Sequence, residues 1–228
     1  MYKIKVLNFK SEPPITPFSP QWDFKLAETM IEDVDFVKLS DFILELEQQL
    51  KQQYDFGETF SDGYTGLGKD SLTARFTEYN LLNLENEQIL QLRKHILNFH
   101  NEFLKALRLP LPKELYVRCW ANVMRKGEQI KAHIHGIKPE TYLGGHICVK
   151  CNKTQTHYMN PINTINEPIH YSSPNEVGKF TLFQNFIPHF TDIQTEDDTR
   201  ITIAFDLMTV PRVYTSPLGN DYKFLKLI

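Results

Sequence analysis

The chain has 228 residues, 41% of them hydrophobic and 12% aromatic, with 25 Lys and Arg against 28 Asp and Glu, for a net charge of -3. That balance excludes a disordered or strongly basic chain and, with it, the bulk electrostatic footprint of a nucleic-acid binder. No stretch approaches the roughly 20 apolar residues that span a bilayer, and MYKIKVLNFK lacks the apolar run of a cleaved leader, so no membrane partner and a cytoplasmic location are expected.

The length suits one large domain, 1–228, with three parts: an arm and supporting helices over 1–110, a β core over 115–210 and a tail over 211–228. Residues 1–25 read as a strand-like start followed by SEPPITPFSP, whose prolines exclude a helix and predict an extended surface arm. Leu39, Phe42, Ile43, Leu46 and Leu50 then share one face of a predicted helix. Residues 56–79 concentrate Gly, Ser, Thr and Asp and read as a long loop able to cover a site. A second helix has Ile89, Leu92, Ile96, Phe99, Phe103 and Leu107 at steps of three and four and ends before Pro110. His95 and His100 on it are read as exposed or rim polar residues.

From Leu115 the pattern changes to short β-branched and aromatic runs separated by Gly, Pro, Asn and Asp: LYVRCWANVM, TYLGGHICVKC, THYMNP, GKFTLFQ and TRITIAFDLMTV. Helices followed by strands predict an α+β chain whose sheets form a barrel or sandwich. Three cysteines, Cys119, Cys148 and Cys151, are too few for a disulfide framework and agree with a reducing compartment. Cys148 and Cys151 form a CxxC inside a predicted strand, where residues three apart point to opposite faces; packing is the expected role. His157 and His170 fall in a polar excursion read as a hairpin bordering a substrate entrance, and His146 is read as a polar residue on a strand face. The tail YTSPLGNDYKFLKLI reads as an edge strand or a homodimer contact.

KAHIHG, 131–136, carries the chemistry. In an extended segment residues i and i+2 share a face, so His133 and His135 can aim at one point. Alone, such a pair is more readily a polar loop. His189, after Pro188 in GKFTLFQNFIPHFTD, is the candidate third ligand, since a strand and turn there can return it beside the pair. Three imidazoles would leave open positions on Fe(II), Zn(II) or Mn(II), and open positions mean chemistry. Further on, Ile201, Ile203 and Phe205 alternate with Arg200, Thr202 and Ala204. A guanidinium on a core-facing side needs an anion, and a bound carboxylate would satisfy Arg200 with Thr202 adding a third hydrogen bond; the alternative pairs Arg200 with Asp197 or Asp198 at the surface. Ligation needs deprotonated imidazoles, so metal affinity is expected to fall as pH drops through about 6.5.

The runs CWANVMRKGEQIKAHIHG, YLGGHICVK, GKFTLFQNFIPHF and TRITIAFDL resemble, over roughly residues 75–208, the 2-oxoglutarate and iron(II)-dependent oxygenases, in a branch often seen in phages and marine bacteria. The resemblance implies a double-stranded β-helix (a cupin-like jelly roll) with the N-terminal helices packed on one sheet. It implies Fe(II) held by His133, His135 and His189, and 2-oxoglutarate gripped by Arg200 and Thr202. Asn122 is implied as a further co-substrate contact. The activity implied is hydroxylation of a small-molecule or peptide substrate by O2 with release of succinate and CO2, in the host cytoplasm for a phage protein. The sequence departs from the usual pattern where His135 stands in place of an Asp or Glu ligand. A second resemblance, through Gly127, His133, His135 and Glu140, is to the first metal motif of cupins, in which Glu140 would be a fourth ligand and the activity would need no keto acid. A non-catalytic binding or assembly domain is the third reading.

Overall fold

The computed structural model describes residues 2–54, 62–162, 169–210, 214–215, 221–222 and 224–228. In chain order these form β1 (Lys5–Lys10), β2 (Asp23–Met30), α1 (Phe36–Gln53), α2 (Glu87–Ala106), β3 (Tyr116–Met124), β4 (Leu143–Lys150), β5 (Gln155–Met159), β6 (Ile169–Pro174), β7 (Lys179–Gln184), β8 (His189–Thr191), β9 (Arg200–Met208), β10 (Tyr214–Thr215), β11 (Asp221–Tyr222) and β12 (Leu225–Lys226). Seven strands make a large sheet in the order β1-β2-β7-β4-β9-β3-β12, and β6-β5-β8 make a small one. Every pairing in both is antiparallel. The chain is therefore α+β, as its run of helices before strands predicts.

Each helix begins where a short polar side chain caps it. The Asp35 carboxylate accepts from Lys38 N at the start of α1, and the Asn86 carbonyl from Gln88 N and Ile89 N at the start of α2. The apolar stripes both bury: Leu39, Ile43, Leu46 and Leu50 of α1 and Ile89, Leu92, Ile96, Phe99 and Phe103 of α2 join one core with Ile147, Phe180, Leu182, Ile203 and Phe205 of the large sheet. Phe99 meets Phe180 edge-on at 4.6 Å. At roughly 1.5–3 kcal/mol for each large apolar side chain buried, this layer fixes which face of the sheet is closed.

The opposite face is set by the two-residue period of the strands. Register places Met124 opposite Arg200, Asn122 opposite Thr202, Trp120 opposite Ala204 and Arg118 opposite Asp206. From the other side β4 sets Cys148, His146 and Gly144 against Thr202, Ala204 and Asp206. Three strands thus carry a field of polar side chains away from the helices, and the small sheet stands over it, with Tyr158 packing against Phe183, Leu26 and Phe24.

Three expectations change. The strand-like start is β1, and the first 30 residues go beyond it and the arm: β2 pairs with β1 and with β7, so both extend the large sheet. His100 is fully buried, with Nε2 at 2.9 Å from the Tyr142 hydroxyl and Nδ1 at 3.0 Å from Asn101 Oδ1. β4 shifts register on β9 between Cys148 and Lys150 and ends there, so strand alternation does not extend to Cys151; the Cys148 thiol donates to Asn175 Oδ1 at 3.6 Å. The excursion containing His157 does hold two antiparallel neighbours, β5 and β6, as the hairpin reading expects, and they belong to the small sheet; its residues 163–168 lie outside the described residues. At the end of the chain, β12 is an edge strand on β3. Of the long loop expected to cover a site, 56–61 lie outside the described residues, and 62–79 form turns and a 3-10 helix, Thr73–Arg75.

Candidate metal centre

His133 and His135 do not sit in a regular strand. They lie in the irregular run between β3 and β4, where His133 forms an isolated antiparallel bridge with His189, each N–H donating to the other's carbonyl at 3.1 Å. His135 N donates to the Asn185 carbonyl at 2.9 Å. Backbone bonds therefore deliver both histidines and the first residue of β8 to one place. One ligand nitrogen from each of His133, His135 and His189 lies within 4.8 Å of the others. Glu140 is exposed and is not in that group.

The three rings are oriented from behind. His133 Nδ1 donates to the Lys131 carbonyl at 2.8 Å, His189 Nδ1 to the Ile187 carbonyl at 3.0 Å, and His135 Nδ1 to Asp206 Oδ1 at 2.6 Å. A carbonyl or carboxylate accepts only, so each Nδ1 must carry a hydrogen, which in a neutral ring puts the lone pair on Nε2. This is the donor set a divalent ion needs, and a partner behind each ring is the usual support of a ligating histidine. Ligands at right angles about 2.1 Å from an ion stand roughly 3 Å apart, so small ring rotations close the set. Burial lowers the His133 imidazole to about 4, helped by the neighbouring His135, and holds His189 well below the usual range with His133 and His135 adding to the effect. Both are neutral at pH 7 and ready to ligate. Asp206 is buried, which alone would raise its carboxyl, yet His135 and Arg118 hold it well below the usual range.

The same cavity, about 310 Å³, is lined by Arg200, Thr202, Asn122, His146, Thr156, Trp120 and Phe76. Arg200 is 2% exposed. Its guanidinium reaches Thr156 Oγ1 at 3.4 Å and Met124 Sδ at 4.0 Å, Nε has no partner, and among the described residues no carboxylate pairs with it. Asp197 and Asp198, its alternative surface partners, pair instead with Lys126 and Lys150. Thr73 Oγ1 donates to Asn122 Oδ1 at 2.7 Å, and Asn122 Nδ2 faces Thr202 Oγ1 at 3.4 Å. Since that amide nitrogen can only donate, the Thr202 hydroxyl hydrogen is left for the cavity.

Sequence reasoning brought together His133, His135, His189, Arg200, Thr202 and Asn122, and all six line one cavity. It missed Asp206, which the β9 alternation Arg200, Thr202, Ala204 would have reached two residues further on, and Arg118, the register partner of Asp206 on β3. It also undervalued His146. That ring is buried, its Nε2 lies 2.7 Å from the Tyr158 hydroxyl, and its Nδ1 has no partner. Burial and the Arg200 charge lower it to about 3, so it is neutral.

No family model matches the chain, and no curated protein does. Among solved structures, the non-heme α-ketoglutarate-dependent epimerase SnoN from nogalamycin biosynthesis superposes with a TM-score of 0.51 at 10% identity, covering 80% of this chain and 76% of SnoN. The two share a fold. Weaker matches are a Pseudomonas putida prolyl-4-hydroxylase (TM-score 0.42, 11% identity, 54% of this chain and 66% of that one) and an oxidoreductase of the 2OG-Fe(II) oxygenase family from Burkholderia pseudomallei (0.36, 14%, 42% and 46%). The chain spans less than two thirds of the length of either. Neither carries an argument, and the likeness to SnoN is one of fold and carries no residue roles. Among the described residues, no helix is long and apolar enough to cross a membrane.

Proposed function

We propose that this chain is an Fe(II)- and 2-oxoglutarate-dependent oxygenase on a double-stranded β-helix, hydroxylating a small-molecule or peptide substrate. The observation that carries the reading is Arg200: a buried guanidinium that no carboxylate pairs with among the described residues, facing the cavity that holds the three imidazoles. Leaving a charge so placed costs several kcal/mol unless an anion arrives. A dicarboxylate keto acid supplies one carboxylate for the guanidinium and an acid and carbonyl oxygen for the ion.

In this reading His133, His135 and His189 hold the ion through Nε2. Arg200 takes the distal carboxylate in two parallel hydrogen bonds, and the Thr202 hydroxyl donates a third. His146 Nδ1 is a further donor to the acid when Tyr158 donates to Nε2. Trp120 and Phe76, whose rings lie 5.8 Å apart, wall the remaining space for substrate and keep water out. When bound, Fe(II) with 2-oxoglutarate and O2 supplies the oxidation: one oxygen atom goes to the keto acid, which leaves as succinate and CO2, and the other to a C–H bond. A metal site of the cupin type has no use for a buried unpaired guanidinium, and Glu140 stands outside the ligand group.

The test is succinate formation from 2-oxoglutarate with Fe(II) and O2, first alone and then across a panel of amino acids, peptides and small metabolites. Turnover that needs both metal and keto acid, and is lost in Arg200→Ala while metal binding persists, supports the proposal. Equal keto acid affinity in Arg200→Ala overturns it.

A further inference from the structure

We infer that Asp206 is the charge-compensating residue of the metal centre, acting on the ion through His135. The inference rests on the metal reading above and goes beyond it to a positioning residue outside the ligand set.

Three neutral imidazoles leave a divalent ion with its full charge, and the same cavity holds the Arg200 cation. A dianionic keto acid still leaves the cavity one positive charge in excess. The three ligands are not equivalent in what stands behind them. His133 and His189 lean on backbone carbonyls, which fix a ring but carry no net charge, whereas His135 leans on a carboxylate that is 3% exposed. A carboxylate behind an Nδ1–H draws the proton toward itself and makes the opposite nitrogen a stronger donor. His135 therefore conveys part of a negative charge to the ion without a carboxylate touching it.

The surroundings are built for that contact. Gly144 is the register partner of Asp206 on β4, and a Cβ there would lie 3.1 Å from His135 Nδ1 and 2.1 Å from Asn185 Oδ1. Bare backbone at 144 lets the imidazole edge reach the acid. On the other side Arg118 Nη2 binds Asp206 Oδ2 at 2.5 Å, and its guanidinium lies over the rings of Phe76 and Trp120 at 5.0 and 5.3 Å. Arg118 competes with His135 for the same charge. Removing the acid and removing its competitor should therefore move metal affinity in opposite directions.

The experiment measures Co(II) affinity by calorimetry on the full chain, together with the visible absorption of the bound ion, for wild type, Asp206→Asn and Arg118→Gln. Asp206→Asn keeps an acceptor for His135 Nδ1 and loses only the charge, so affinity should fall about 10- to 100-fold. Arg118→Gln should bind Co(II) as tightly as wild type or more tightly. Wild-type affinity in Asp206→Asn overturns the inference, as does an Arg118→Gln variant weakened as much as Asp206→Asn, which would make the pair a mere brace for the ring. Should Asp206→Asn fail to fold, Arg118→Gln decides by itself: Co(II) affinity at or above wild type supports the inference, and affinity about 10-fold or more below wild type overturns it. A wild-type chain that does not bind Co(II) overturns the metal reading itself, an outcome distinct from the first two.

Discussion

Replacing Arg200 with methionine separates the ligand-binding role of this side chain from its effect on the fold. In the unliganded chain the guanidinium is 2% exposed, and its hydrogen-bond partners among the described residues are a threonine hydroxyl at 3.4 Å and a thioether at 4.0 Å. Exchanging a buried charge for an apolar side chain of similar length is worth about 1–4 kcal/mol of added stability. At this chain length each kcal/mol moves the melting temperature by about 2–4 °C, so unliganded Arg200→Met should melt above wild type. The order reverses with ligand. A keto acid present at about 100 times its Kd stabilises wild type by about 2.7 kcal/mol, a rise of roughly 5–11 °C, while the variant, without its charge-assisted hydrogen bonds, stays where it was. Thermal melts of both proteins, with Co(II) throughout and with or without 2-oxoglutarate, give all four values. A variant that melts below wild type without ligand shows that the guanidinium already has a partner, and one that rises with 2-oxoglutarate as wild type does shows that the acid binds elsewhere; either result refutes the reasoning.

Stability of the metal-free chain should rise with pH between about 4 and 6.5. His133 and His189 are neutral in the fold with their values pushed down by burial, so below 6.5 the unfolded chain takes up protons that the folded one refuses. Each such histidine contributes up to about 1.4 kcal/mol per pH unit across that window, read as urea midpoints at successive pH values. For the same reason His133 and His189 should not take up protons in competition with Co(II) until well below pH 6.5, His133 at about 4; a titration of Co(II) affinity against pH checks this. Gly145→Ala should cost about 1–3 kcal/mol, because its Cβ would meet the Phe205 ring at 2.3 Å and the Thr181 carbonyl at 2.6 Å; an unchanged urea midpoint contradicts the packing. His146→Leu should leave Co(II) binding intact and weaken 2-oxoglutarate about 10- to 100-fold, the loss of one hydrogen bond to a charged group, measured by calorimetry.

Much of the site was legible because it obeys local periods. Arg200 and Thr202 share a face by strand alternation, and α1 and α2 bury the stripes their spacing marks. The return of His189 to the histidine pair was readable only as a strand followed by a turn. The structure completes it through a backbone bridge that no local pattern encodes. What escaped depends on pairing across the chain. β2 lies beside β7, some 150 residues later, so its place in the large sheet could not be read from its own residues. Strand alternation could not place Cys151 relative to Cys148, because β4 shifts register and ends between them. His100 looked like a rim residue because its partner, Tyr142, comes from a loop 42 residues away.

His189 opens a strand of the small sheet, while His135 is tied to Asp206 on the large one. An ion held by both is a rivet through two layers as well as a reaction centre. Chelation should then let the layers breathe, with amide hydrogens of β5 and β8 exchanging sooner than those of β4 and β9 beneath them.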